Sequence, residues 1–399
     1  MEGYRADVAF DGEAALPGGA LVLVRDGVIV AVEPGSAPAP DGCPVTYLPG
    51  TTLLPGLIDA HSHLCGNSRL DALDRLPGLS ADELDETVTE SLAAQLAGGV
   101  TAVRDLGDQD WAVVDRHRGR PGGPVVVASG PPITSIGGHC ASMGGEASGV
   151  DGLRRAVRER AERGADLVKI MASGGALSPG TDLRACQFTL DELRAVVDEA
   201  HRLGLPVTAH AHAVAAVRQC VAAGVDGIEH CSCVDEQGMR TPPELAARLA
   251  AAGIMVCPTL GHDLSRIPSP TPAVADGLRR HVEDRLIQAG ELQRAGVTLI
   301  SGLDSGIHPA KAHGVLPLAI VELTAVGASA GAALASATSL AARACGLAER
   351  TGRLRPGLAA DLLLVDGDPT TDIAAIRNVR AVVSRGRAAV AGGQVPGSS

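Results

Sequence analysis

The chain has 399 residues, 45% of them hydrophobic, enough for one barrel-sized core and a smaller companion. A formal charge of −12 argues against a nucleic-acid partner, because phosphate binding needs clustered Lys and Arg and no such cluster stands out. No apolar run reaches the roughly 18 residues of a membrane helix, residues 1–7 lack a signal-peptide core, and nine scattered cysteines suit reduced thiols, so a cytoplasmic protein is expected.

Residues 1–54 hold short alternating runs, with Arg25-Asp26-Gly27 as a hairpin signal. The first buried strand, residues 57–61, ends in His61-Ser62-His63. Positions i and i+2 of a strand face the same way, so these two imidazoles suit one metal ion, or else two partly buried core histidines. Ser80 to Glu83 is a capping-box start, Gly98-Gly99 stop that helix, and residues 100–104 form the next strand before Asp105. Residues 125–128 form a third strand, followed by a glycine-rich loop carrying His139.

The same theme then recurs. Residues 167–171 make a strand with Lys169, residues 207–210 one ending in His210, and residues 227–230 one ending in His230. Residues 254–257 and 297–301 follow, the last leading to Asp304. Eight nearly all-apolar strands alternating with helices imply a parallel sheet buried on both faces. Either a (β/α)₈ barrel or an open doubly wound sheet meets that pattern. The polar residues favour the barrel, because they all sit at strand ends, where a barrel builds its site. Residues 361–365 and 381–384 return to β. The expected organisation is therefore an α/β chain, with residues 55–352 as the barrel and residues 1–54 plus 353–399 as one composite β-sandwich.

Four imidazoles and a carboxylate at one rim match the ligand preferences of Zn²⁺ and similar ions. Lys169 is out of place there, since an ammonium is repelled by divalent cations. His212 shares a face with His210, either touching substrate or merely packed. Asp105 either orients a ligand or caps its loop. Cys231 and Cys233 read as buried thiols, Gly174-Gly175 lacks the Gly-Lys-Ser/Thr of a phosphate loop, and His262, His308 and His313 lie on loops that spacing does not rank.

The runs Leu54-Pro55-Gly56-Leu57-Ile58-Asp59-Ala60-His61-Ser62-His63, Val168-Lys169-Ile170-Met171-Ala172-Ser173-Gly174-Gly175, Ala209-His210-Ala211-His212, Ile228-Glu229-His230 and Ser301-Gly302-Leu303-Asp304 resemble the amidohydrolase superfamily, in its imidazolonepropionase-like and prolidase-like dipeptidase branch. The resemblance extends to the tail Gly352-Arg353-Leu354-Arg355-Pro356-Gly357, which in that family re-enters the sandwich. It implies two divalent metal ions, Zn²⁺ foremost, bridged by a carboxylated Lys169 and a water. His61, His63 and Asp304 would hold one ion, His210 and His230 the other. Asp304 would also move the proton, and His139 would polarise the scissile carbonyl, with His212 beside the substrate. A dipeptide or N-acyl amino acid is the expected small-molecule substrate, with ring opening or deamination of a heterocycle as the alternative and a non-catalytic scaffold as a remote one. No membrane partner and a homo-oligomer are expected. Cys140 departs from the Gly-Gly-His-Gly run of relatives.

Overall fold

The computed structural model describes residues 1–178, 180–268 and 271–391. Residues 392–399 of the expected sandwich segment lie outside them. Strands β1 (Glu2–Ala6), β2 (Val8–Phe10), β3 (Ala15–Leu16), β4 (Ala20–Arg25), β5 (Val28–Pro34), β6 (Val45–Tyr47) and β7 (Thr51–Pro55) come first. β4 and β5 form the expected hairpin: Asp26 (φ 52°) and Gly27 (φ 77°) both adopt the left-handed conformation that matches strand twist.

The barrel strands follow: β8 (Leu57–Ser62), β9 (Val100–Asp105), β10 (Val125–Ala128), β11 (Val168–Met171), β12 (Val207–Ala213), β13 (Gly227–Asp235), the short β14 (Gly238–Met239) that folds back on β13, and β15 (Met255–Cys257). β8, β9 and β10 pair in parallel, and so do β11, β12, β13 and β15. The two arcs meet where Ile133 bridges Ile170 and the Asp166 N–H donates to the Ala128 carbonyl. Residues 297–304 close the ring. Leu299 bridges Val256, the Ala60 N–H donates to the Ser301 carbonyl, and the Asp304 N–H donates to the His61 carbonyl at 2.8 Å.

This eighth member is thinner than the sequence suggests, with isolated bridges in place of a continuous ladder. Its backbone turns out of strand geometry at Asp304, whose φ is 64°. Every residue of β8, β9 and β11 is buried, as parallel strands covered by helices require. Helices Ala81–Ala97 and Leu190–Arg202 begin with complete capping boxes, Ser80 with Glu83 and Thr189 with Glu192.

The chain ends in β16 (Leu362–Asp366), β17 (Val379–Ser384) and β18 (Arg387–Ala391). One sheet runs β18-β17-β16-β7-β2-β3 and the facing one β5-β4-β1-β6. β7 therefore lies between a strand from each end of the chain. Leu53, Val22, Ile29, Leu362 and Leu364 fill the space between the sheets. No helix among the described residues is long and apolar enough to cross a membrane.

Candidate metal centre

The alternation of β8 puts His61 and, just past its end, His63 on one side, with ring centroids 5.3 Å apart. Asp304, across the barrel seam, places Oδ1 3.2 Å from His61 Nε2 and 3.1 Å from His63 Nε2. β12 and β13 bring His210 and His230 to the same mouth, ring centroids 4.6 Å apart, and His230 lies 5.2 Å from His61. Nitrogen or oxygen atoms of His61, His230 and Asp304 all lie within 4.8 Å of one another. His212 enters the same shell: with His210 and His230 it forms a second group within 4.8 Å. His230 and Asp304 both have a φ of 64°, a conformation that non-glycine residues hold only where surrounding contacts fix it.

One nitrogen of nearly every ring is already engaged. His61 Nδ1 meets Glu229 Oε2 at 2.8 Å, His230 Nδ1 meets Thr259 Oγ1 at 3.0 Å, His212 Nδ1 meets Ser232 Oγ at 2.8 Å, and His210 Nε2 donates to the Gly174 carbonyl at 3.2 Å. Such contacts fix ring orientation and leave the second nitrogen for a ligand. His63 Nδ1 is the exception, buried without a hydrogen bond among the described residues.

Burial pushes His210, His212 and His230 well below the ordinary imidazole range, and each is lowered further by neighbouring imidazoles, so all three are neutral donors. Burial opposes ionisation of Asp304, but His61 and His63 outweigh it and hold the carboxyl well below its usual range. Burial keeps His63 neutral, whereas Asp304 and Glu229 together raise His61 against burial and Lys169, so His61 is the stronger cation facing Asp304. Lys169 is 1% exposed, lines the same cavity, and its Nζ has no hydrogen bond among the described residues. Burial lowers its ammonium, only partly offset by Glu229 and Asp304.

The cavity over these groups has a volume of about 480 Å³, with Leu73, Met143, Leu177 and Leu264 among its walls. His139 stands at one side, its ring 4.6 Å from that of His210 and its Nδ1 2.7 Å from Ser178 Oγ. Burial brings His139 down to about 4. His262 and His308 also line this space, whereas His313 does not and instead meets the Gly66 carbonyl at 2.9 Å. Asp105 accepts the Gly107 N–H of its own loop at 3.3 Å and the Leu64 N–H just after His63 at 2.7 Å, while Glu229 is the carboxylate that meets the His61 ring. Cys231 and Cys233 are buried free thiols.

Two lining residues were not singled out from sequence. Arg285, fully buried, donates to Ser232 Oγ at 2.8 Å, Gln288 Oε1 at 3.0 Å and the His230 carbonyl at 2.8 Å, and to the Pro258 carbonyl. Lys311 is buried with its Nζ on the Thr259 carbonyl. Neither cation has a carboxylate at ion-pair distance among the described residues. Burial brings Arg285 down to about 10 and Lys311 to about 8.

A closed parallel barrel that gathers imidazoles and a carboxylate at the carboxyl ends of its strands is an arrangement that could hold a divalent metal ion at its mouth. Residues 52–389 match the Amidohydrolase family, and the chain belongs to that family. It is 29% identical over 365 residues to ochratoxinase of Aspergillus niger, covering 83% of this chain and 73% of that protein. It is 27% identical over 389 residues to imidazolonepropionase of Mesorhizobium japonicum, covering 86% of each. Among solved structures, a Xaa-Pro dipeptidase with methionine bound in its active site superposes with a TM-score of 0.83 at 26% identity, over 97% of this chain and 99% of that one. The chain is a hydrolase of carbon–nitrogen bonds of the amide type, built on a barrel with a small β domain.

Proposed function

We infer that this chain is a binuclear amidohydrolase that cleaves the amide bond of a dipeptide or N-acyl amino acid. The observation that carries the substrate class is the pair Arg285 and Lys311: two buried cations with no carboxylate at ion-pair distance among the described residues, in the same cavity as the imidazoles. A buried charge calls for compensation, and a substrate carboxylate supplies it. Dipeptides and N-acyl amino acids both carry one.

The donor set fits a metal pair: His210 and His230 are neutral imidazoles with one nitrogen tethered and one free, and His61, tethered by Glu229, faces the Asp304 carboxylate together with His63. His61, His63 and Asp304 would hold one divalent cation and His210 and His230 the other, with Lys169 between them as a carbamate; Zn²⁺ suits this set, as do Mn²⁺, Co²⁺ and Ni²⁺. When bound, such a pair supplies Lewis acidity and a water nucleophilic near neutral pH.

The remaining steps belong to side chains of this chain. Burial favours the neutral amine of Lys169, the form that adds CO₂: an N–C bond forms, one N–H proton leaves to water, and a carbamate anion replaces the repelled ammonium. Asp304 accepts the proton of the attacking water and delivers it to the leaving nitrogen. His139 supports the developing oxyanion by donating from Nε2, in the tautomer in which the Ser178 hydroxyl donates to Nδ1. Ser178 Oγ meets that nitrogen at 2.7 Å and accepts the Cys140 N–H at 3.1 Å.

The test is a screen of metal-loaded protein against dipeptides and N-acyl amino acids, reading release of a new amine. Turnover that depends on the free carboxylate is expected. Ammonia release from heterocycles with no turnover of either amide class would overturn the substrate assignment in favour of ring opening or deamination.

A further inference from the structure

The opposite end of the barrel holds a second cavity, of about 410 Å³, at the amino-terminal ends of β10, β11 and β12, where Val125, Leu167 and Pro206 line it. Five arginines from distant parts of the chain also line it: Arg104, Arg118, Arg120, Arg350 and Arg385. Asp166 is the one carboxylate among the lining residues. Arg118 already holds it with both ends of its fork, at 2.7 and 2.8 Å.

The remaining guanidinium groups differ in how far they are satisfied. Arg104 is fully engaged by Glu229 and by the Ala60 and Ala344 carbonyls. Arg120 stands 3.7 Å from Asp85. Arg385 donates to the Gly123 carbonyl at 2.9 Å, and the exposed Arg350 makes no side-chain hydrogen bond or ion pair among the described residues. Asp361, behind this wall, accepts the Arg385 backbone N–H at 2.8 Å and attracts both Arg350 and Arg385 at longer range.

Arg104, Arg118 and Arg120 already face Glu229, Asp166 and Asp85, which leaves Arg350 and Arg385 on this hollow with only the longer-range pull of Asp361, and two such like charges favour an anion there. This occurs in a chain whose formal charge is −12, so bulk composition does not explain it. Guanidinium forks match the paired oxygens of a phosphoryl group, and several forks suit more than a single negative charge. Val125, Val127, Leu167 and Leu347 give the same cavity an apolar side for an organic portion. We propose that this cavity is a binding site for a small molecule carrying a phosphate or pyrophosphate group, distinct from the histidine-lined cavity at the other end of the barrel.

The test is equilibrium binding of inorganic pyrophosphate, and of inorganic phosphate, to the full metal-loaded chain at low ionic strength. Saturable binding of one pyrophosphate per chain is expected, weakened about tenfold or more, roughly 1.4 kcal/mol, in Arg350→Gln/Arg385→Gln. Pyrophosphate held by metal in the histidine cavity would survive that double substitution, so equal affinity in the variant overturns the proposal, as does a lack of saturation. Should the double variant not fold, Arg350→Gln alone decides, because that exposed side chain makes no hydrogen bond among the described residues. Unchanged pyrophosphate affinity in it counts against the site.

Discussion

His61 Nδ1 and Glu229 Oε2 stand 2.8 Å apart, both 1% exposed, and the other Glu229 oxygen receives Arg104 Nη2 at 2.9 Å and Thr208 Oγ1 at 2.6 Å. This carboxylate is fixed from three sides and in turn fixes the imidazole that faces Asp304. Glu229→Gln is expected to lower metal affinity about 10–100-fold, read by metal titration. It also leaves the buried Arg104 uncompensated, so thermal unfolding should show a loss of roughly 3–5 kcal/mol. Wild-type metal affinity in that variant would remove Glu229 from the centre.

Lys311→Met should raise KM about 10–100-fold for substrates with a free carboxylate, the range of a charged hydrogen bond of roughly 1.5–3 kcal/mol. kcat should change little. Carboxamide counterparts of the same substrates should bind both proteins alike, and an equal loss on both would mean that Lys311 serves the fold rather than the carboxylate.

The pH dependence has a definite sign. Burial lowers Lys311 to about 8, so its charge is present below that pH and lost above it. Affinity for a carboxylate substrate should therefore be flat below about pH 8 and fall about tenfold per unit above it. Lys311→Met should lack this alkaline limb. A wild-type KM that stays level to pH 10 would contradict the assignment.

His139→Ala should cost about 10²–10³ in kcat if it stabilises an oxyanion. Ser178→Ala, which frees the His139 tautomer, should lower kcat by a smaller factor with KM nearly unchanged. A Ser178→Ala enzyme with full kcat would disprove the tautomer argument.

Gly302 faces the first barrel strand so closely that an added Cβ would lie 2.6 Å from the His61 nitrogen and 2.7 Å from Cys257 Sγ. Gly302→Ala should therefore destabilise by about 1–3 kcal/mol and displace His61. Calorimetry and metal titration would both show it, and a neutral substitution would mean the seam yields more than its packing suggests.

Much of this was legible in the sequence because strand ends carry their chemistry in plain view. His61, His63, Lys169, His210, His230 and Asp304 each interrupt or terminate an apolar run, and the structure gathers them at one mouth. Glu229 and Arg104 carried the same signal, a charge inside a buried strand, but their partnership joins β13 to β9 across the barrel, which spacing does not show. Arg285 and Lys311 lie on a helix and a short 3₁₀ turn whose direction depends on packing. The five arginines of the second cavity are separated by up to 281 positions, Arg104 to Arg385, so no window of sequence reveals them as a cluster. Val297-Thr298-Leu299-Ile300 has the composition of an eighth strand and sits in its place, but it pairs through single hydrogen bonds and isolated bridges rather than a continuous ladder.

The place of β7 in its sheet also has a consequence for how the chain is made. β7 ends at Pro55, and β16, which pairs with it, starts at Leu362. At about 5–20 residues per second, translation leaves that apolar edge without its partner for roughly 15–60 s. A nascent chain of this protein must shield Leu53 and Leu54 throughout that interval, and a ribosome-associated chaperone that covers extended apolar segments would have its longest engagement here.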